Sequence, residues 1–425
     1  MSAYKEDLTQ AKERMGAWWD HEIIDRPVIA YYYPQKGASV EGLLDVFGFN
    51  WDLARDHDAI EKVIDNFEER LPGLYFGGES IPSFFPNYGP GIMAAVFGVT
   101  PKFQTQTMWF NRPIPVEEIV SYLESIKLDP NNSWYSRLLR ITEYAAKHSQ
   151  GKYQISMTDL GGILDILSSF LGPKNIILTM KRRPDIIDSC RAIILEKTLK
   201  VYDDLQKIIY KFNDGCNAWL NVWNRKRWYP MQCDFSAMLS PEWFKRFALP
   251  DIRTQAIHMD YSIYHLDGPL AIPHLDDLLS IPELTGIQWV PGDGREPMGH
   301  EKWYPIYKKI QEAGKNIVTT LTPSRIPVMY RNFDPKGLYG RVIFLEEHLA
   351  DYYLPSFIGG DDGEIIGKCL NWAKKQGKTR LIKADFNLFI KENDIELGDM
   401  NPVKLQKEIN RKLKRIDQVS GSYFE

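Results

Sequence analysis

This sequence predicts a mixed α/β chain folded as a single (β/α)8 barrel, with a helical extension before it and a helical tail after it. Three observations carry that expectation. Short apolar, β-branched or aromatic runs recur along the chain, they alternate with longer helical patterns, and no linker or repeat divides the 425 residues. Strand alternating with helix is the mark of βαβ units and a parallel sheet. Barrels of this kind routinely run to about 250 residues or more as one unit.

Taken in order, residues 1–26 are charged and Trp-containing and predict a helical cap. Eight runs then read as buried parallel strands: 28–33, 73–77, 153–158, 218–222, 261–265, 286–290, 316–320 and 341–345. Helical patterns lie between most of them, at 58–70, 162–171, 184–212, 241–258, 272–279 and 303–313. Ser240-Pro241 opens one helix and Gly314 closes another, which are ordinary boundary signals. Residues 100–112 alternate polar and apolar and predict an antiparallel excursion. The division expected is a cap over 1–26, a barrel over 27–385 and a polar helical tail over 386–425.

Composition narrows the function classes. A net charge of −4 and a pI of about 6.1 give no basic face for nucleic acid or an anionic membrane. Runs such as Lys181-Arg182-Arg183 are short and read as solvated helix faces. The four cysteines (Cys190, Cys216, Cys233, Cys369) are widely spaced and form no CxxC pair, so a reducing cytoplasm is expected. The first twenty residues hold no apolar signal core, and no stretch was expected to reach the roughly eighteen apolar residues of a membrane span. Twelve Trp, 22 Tyr and 20 Phe suit either an aromatic core or an aromatic-lined pocket for a small molecule.

A barrel places its site at the carboxyl ends of its strands, so the residues following each run are the candidates. Gly77 leads into Gly78, Glu79 and Ser80, and Thr158 into Asp159. Val222 leads into Trp223, Asn224 and Arg225, and Leu345 into Glu346, Glu347 and His348. In Tyr264-His265-Leu266-Asp267-Gly268-Pro269, His265 and Asp267 stand two apart and so face one side of a strand. Such a pair can bind a divalent cation or act as base and orienting partner. Glu346 or Glu347 could complete that metal set. Asp234, after Gln232-Cys233, reads either as a substrate carboxylate or as a salt-bridge partner of Arg225. Cys233 reads either as a thiolate ligand or as a buried apolar residue. No Walker A, GxSxG or HExxH pattern occurs.

Residues 236–317 resemble the uroporphyrinogen decarboxylase-like superfamily, which includes corrinoid-dependent methyltransferases acting on coenzyme M. The resemblance lies in Ser240-Pro241-Glu242-Trp243-Phe244, Leu249-Pro250, His265-Leu266-Asp267-Gly268, Ile287-Gln288-Trp289-Val290-Pro291-Gly292 and Trp303-Tyr304-Pro305-Ile306-Tyr307. Earlier, Pro86-Asn87-Tyr88-Gly89-Pro90-Gly91 and Asp159-Leu160-Gly161-Gly162-Ile163-Leu164-Asp165 are similar to the family's glycine-rich strand ends. It implies a methyltransferase in which His265, Asp267, Asp234 and Asp159 act catalytically. Glu79, Asn87, Trp223, Arg225, Tyr229, Gln232, Gln288 and Trp289 would bind substrate, with Trp223, Trp289 and Tyr229 walling the pocket. A divalent metal, zinc first, would sit on His265, Asp267, Glu346 and Glu347, and a corrinoid would come on a partner protein. Barrels of the family often pair through exposed faces, so the resemblance implies a homodimer. The alternatives are a decarboxylase or lyase acting on a tetrapyrrole or another electron-rich ring, and a non-catalytic corrinoid- or tetrapyrrole-binding barrel.

Two departures from the family bear on chemistry. Porphyrinogen decarboxylases carry an arginine-rich loop after the first strand, where this chain reads Tyr33-Pro34-Gln35-Lys36-Gly37. Without bidentate arginines there, a multiply anionic porphyrinogen loses its partners. The methyltransferase branch binds zinc through His-x-Cys and a distant Cys, whereas here Asp267 takes the first Cys position and 341–348 holds no cysteine. Carboxylate in place of thiolate makes a harder ligand set.

Overall fold

The computed structural model describes residues 4–35, 38, 59–103, 108–345, 347–355, 360–398 and 400–417. It is a mixed α/β fold. Its strands in chain order are β1 (Ile29–Pro34), β2 (Leu74–Gly78), β3 (Ser83–Phe84), β4 (Lys102–Phe103), β5 (Met108–Trp109), β6 (Gln154–Ile155), β7 (Trp228–Gln232), β8 (Tyr261–Asp267), β9 (Gly286–Val290), β10 (Asn316–Leu321) and β11 (Leu338–Ile343). Seven form one sheet in the order β2-β1-β11-β10-β9-β8-β7, while β3 pairs with β6 and β4 with β5. Every pair in the large sheet is parallel except β1 with β2.

The expected barrel is therefore seen as an open sheet plus a short parallel pair. Ser156 bridges to Asn217 in parallel, and the Trp228 indole N–H donates to the Cys216 carbonyl at 2.9 Å, so β6 and β7 approach through the segment around 216. Two of the eight expected strands are corrected. Residues 73–77 do form a strand, but it runs antiparallel to β1. Residues 218–222 form none, and the strand lies at Trp228–Gln232 instead, in a stretch that reads as aromatic and basic. The excursion at 100–112 is the antiparallel pair β4–β5.

Register sets which side chains share a face. Gln232, His265, Gln288, Val318 and Tyr339 are successive partners across five strands. Asp267 and Arg341 stand two residues further along β8 and β11, so the period of two keeps them on that same face. We call it the site face. Tyr31 and Tyr33 alternate to the other face, where a cavity of about 350 Å³ separates them and Tyr75 from Ala350, Leu354 and Ile366.

Helices cover the strands where their apolar stripes dictate. The 29-residue helix Pro184–Phe212 buries Ile187, Cys190, Ile194, Thr198, Val201, Leu205 and Ile209, a run spaced by three and four residues. Pro184 at its first position lacks the N–H that would go unpaired there anyway. The helix Ile163–Arg182 is long and apolar enough to cross a membrane, contrary to the sequence expectation. Half of its apolar window is buried in the protein, and Gly172 (φ 71°) with Pro173 breaks it, so it serves as a core helix here. At the far end, Gly360–Lys375, Lys383–Glu392 and Pro402–Asp417 share a separate apolar cluster that includes Leu370, Phe389 and Ile409.

Candidate active site

The carboxyl ends of β6, β7 and β8 bring together a histidine and four aspartates. One ligand atom from each of Asp234, His265 and Asp267 lies within 4.8 Å of the others. His265 comes from β8 itself, and Asp267 is its last residue. The His265 imidazole is fixed from two sides. Its Nδ1 lies 2.7 Å from the Gln288 Oε1 on β9, and Trp219 meets it edge-on with ring centroids 4.9 Å apart. An amide oxygen can only accept, so Nδ1 carries the proton, and in the neutral ring the lone pair is on Nε2.

Asp234 owes its position to Asp165. The Asp165 carboxylate, in the first turn of Ile163–Arg182, accepts the backbone N–H of Asp234 at 3.0 Å and of Phe235 at 2.7 Å. The close fit needs Gly162, where a Cβ would lie 2.1 Å from Asp165 Oδ2 and 2.5 Å from the Gln232 carbonyl oxygen. Gly161 (φ 79°) lets the chain pass against Gly91, whose Cα would be 2.5 Å from a Cβ at 161. The loops following β3 and β6 are thereby held together at the mouth. Asp159 accepts the Gly161 N–H at 2.8 Å and the Gln232 amide at 3.3 Å.

Electrostatically the mouth is an acidic cluster. Among the described residues no Lys or Arg forms an ion pair with Asp159, Asp165, Asp234 or Asp267. Burial first, then the charge of Asp234, pushes the Asp159 carboxyl up to about 7. The same two causes raise Asp165. Asp234 is raised by desolvation even though its side chain reaches solvent, with His265 opposing the shift and Asp267 adding to it.

Several expected site residues lie elsewhere. Glu79 follows the antiparallel β2 and so sits at the amino end of β1, where it accepts Arg26 at 2.8 and 3.0 Å and the Ile29 N–H at 2.8 Å. It anchors the strand. Trp223 and Arg225 precede β7 instead of following a strand, and they line a cavity of about 530 Å³ with Lys12, Lys226 and Tyr261 on the amino-terminal side. Arg225 and Asp234 are thus at opposite ends of β7 and form no salt bridge. Trp289 is fully buried, one residue off the site face, and packs edge-on against Trp303 at 5.2 Å. It walls no mouth. Tyr229 is buried and accepts the Leu160 N–H at 2.6 Å, which steadies the Asp159 loop.

Gln232 and Gln288 do stand in the mouth, as hydrogen-bond partners of Asp159 and His265. Asn87 accepts the Gly89 N–H at 2.9 Å and shapes the loop after β3. Cys233 is buried, its thiol pushed well above the ordinary range by desolvation, and lies outside the Asp234–His265–Asp267 cluster. Glu347 begins the helix Glu347–Tyr353 and borders the cavity on the other face, also outside that group, and Glu346 lies outside the described residues. Sequence reasoning passed over Asp165 as a site residue, although the Gly161-Gly162 pair opening its helix marked a close approach. It also passed over Arg341, which no motif singles out.

No protein-family model matches the chain, and no curated protein is significantly similar to it. Its fold is similar to that of a solved structure, a methyltransferase from Methanosarcina mazei, with a TM-score of 0.52 and 13% identity over 79% of this chain and 93% of that one.

Proposed function

We propose that the chain is a methyltransferase-like enzyme whose Asp234, His265 and Asp267 hold a divalent cation and whose mouth takes a small methyl donor or acceptor. The observation that carries this reading is the convergence of three ligand atoms within 4.8 Å at the carboxyl edge of the strands. The donor chemistry fits a cation. An imidazole with its Nδ1 proton engaged by Gln288 offers Nε2 in a fixed orientation, the outer-shell arrangement common to metal-ligating histidines. Two carboxylates beside it, with no Lys or Arg against them among the described residues, are relieved by a positive ion. One nitrogen and two oxygens suit zinc with an open position, and the harder donors also admit other first-row ions.

A bound cation supplies Lewis acidity, lowering the pKa of a thiol or hydroxyl brought to it. The protein's own groups orient and move protons. Gln288 and Trp219 hold the imidazole, Asp165 holds the loop of Asp234, and Asp159 can take or give a proton near neutrality. A corrinoid-bearing partner protein as the second methyl carrier belongs to this reading, and the fold likeness to a methyltransferase supports its direction. A lyase is the second reading, favoured by Asp159, because a carboxyl that titrates near 7 is suited to protonating a carbanion formed on decarboxylation.

Metal content separates them. Inductively coupled plasma mass spectrometry on untagged protein is expected to find about one equivalent of zinc or another divalent ion, lost in His265→Ala. Metal-free wild type after incubation with zinc sinks the methyltransferase reading and leaves the lyase.

A further inference from the structure

Among the described residues Arg341 is the one charged group on the strands of the site face outside the cluster above. It sits on β11 in register with Ala30 of β1 and Thr320 of β10, on the face that carries His265 and Asp267. It is only partly exposed, and its Nε is shielded from solvent with no hydrogen-bond partner. No ion pair joins it to any described residue, whereas Arg14, Arg26, Arg183, Arg191, Arg246, Arg325 and Arg411 each hold a carboxylate. A guanidinium N–H shielded from water without a partner is costly, and an Arg on a strand face ordinarily finds a carboxylate. Here every aspartate of the mouth lies on the β6–β8 side.

We infer that Arg341 is an oxyanion-binding residue, and that the small molecule taken by this mouth carries a carboxylate, sulfonate or phosphate at the end away from its reacting group. The inference rests on the mouth being the substrate site proposed above. The planar guanidinium fork matches such groups with two parallel hydrogen bonds. Three strand spacings separate β11 from β8, about 14 Å measured along the sheet at about 4.8 Å each. That separation, less the reach of the side chains at both ends, is the span of a molecule of a few heavy atoms. Its anionic end would lie on Arg341, far from the carboxylates that would repel it, and its other end at Asp234, His265 and Asp267. An acidic wall opposite Arg341 thus fixes the direction in which a polar substrate enters.

Isothermal titration calorimetry in Tris chloride with chelator present tests this, using sodium sulfate, sodium acetate and inorganic phosphate as probes for the three oxyanion types. Wild type is expected to bind at least one of them. Arg341→Met should weaken that binding tenfold or more, because a charge-assisted bidentate pair is removed. Arg341→Lys should retain part of it, keeping charge without the fork, and serves as the variant of record if the Met form does not fold. His265→Ala, which empties the cation group, should stay within threefold of wild type. No binding of any probe by wild type, or equal affinity in Arg341→Met or in Arg341→Lys when that variant stands in, overturns the assignment. Loss in His265→Ala alone would place the anion on the cation group and overturns it too. A metal-free wild type that still binds oxyanion through Arg341 would defeat the proposed reaction while leaving this inference intact.

Discussion

Replacing Asp159 by Asn tests the electrostatics of the mouth most directly. In the folded chain burial and the neighbouring Asp234 push the Asp159 carboxyl from 3.8 to about 7. Folded protein therefore holds a proton that unfolded protein has released across the window from about pH 4 to about pH 7. Stability must fall as pH rises through that window, because the native state binds more protons there. The full shift is about three units, or roughly 4 kcal/mol at about 1.36 kcal/mol each. Part of the side chain reaches solvent, so we expect about half of this, roughly 2 kcal/mol, to be expressed. Asn cannot ionise, and its Oδ1 can still accept the Gly161 and Gln232 N–H groups that Asp159 accepts at 2.8 and 3.3 Å. Asp159→Asn should accordingly raise urea-unfolding stability by about 2 kcal/mol at pH 8 and by less than about 0.5 kcal/mol at pH 4, measured with chelator so that no cation offsets the charge. Equal effects at both pH values, or a loss at pH 8, would refute the reasoning, since either means the carboxylate is not held at an electrostatic cost. Activity should fall in the same variant, as sites often hold groups that stability alone would discard.

Other outcomes follow from single distances. Gly162→Ala should destabilise by about 1–3 kcal/mol and reduce metal content, because its Cβ would press on Asp165 and on the Gln232 carbonyl. A melting curve unchanged from wild type would show that the two loops have slack. Asp251→Ala should cost about 3 kcal/mol in chemical denaturation, since Arg191 loses two 2.8 Å hydrogen bonds within the protein and keeps only Asp188. The double change Arg191→Met with Asp251→Leu should cost less than that single change, and a larger cost would contradict the desolvation argument. Loss of bound metal in His265→Ala, and of oxyanion affinity in Arg341→Met, complete the set.

How far the residues alone led depends on the range of the interactions involved. Helix 184–212 was legible end to end, because a proline at its start and an apolar stripe of three- and four-residue spacing are local signals. So was the His265–Asp267 pair, whose common face follows from the period of a strand. The same local reasoning misplaced Glu79. Its strand has an ordinary strand pattern, but its direction is set by pairing with β1, and reversing it carries the glutamate to the opposite end of the sheet. Trp223 and Arg225 moved for a related reason. Both 218–222 and Trp228–Gln232 are apolar enough to be strands, and only competition for a place beside β8 chooses between them.

Asp234 joined the cluster with His265 and Asp267, and Glu347 did not, through contacts between distant parts of the chain. Asp165, 69 residues away, binds the backbone of the Asp234 loop, whereas Glu347 begins a helix beside the cavity on the far face. The alternation of strand and helix, the aspartates at strand ends and the histidine were determined by sequence alone, because period and polarity act between neighbours. Which strand runs backwards, which carboxylates meet and which face of the sheet carries Arg341 with His265 were decided only by the tertiary structure, because pairing, burial and charge act between residues far apart in the chain.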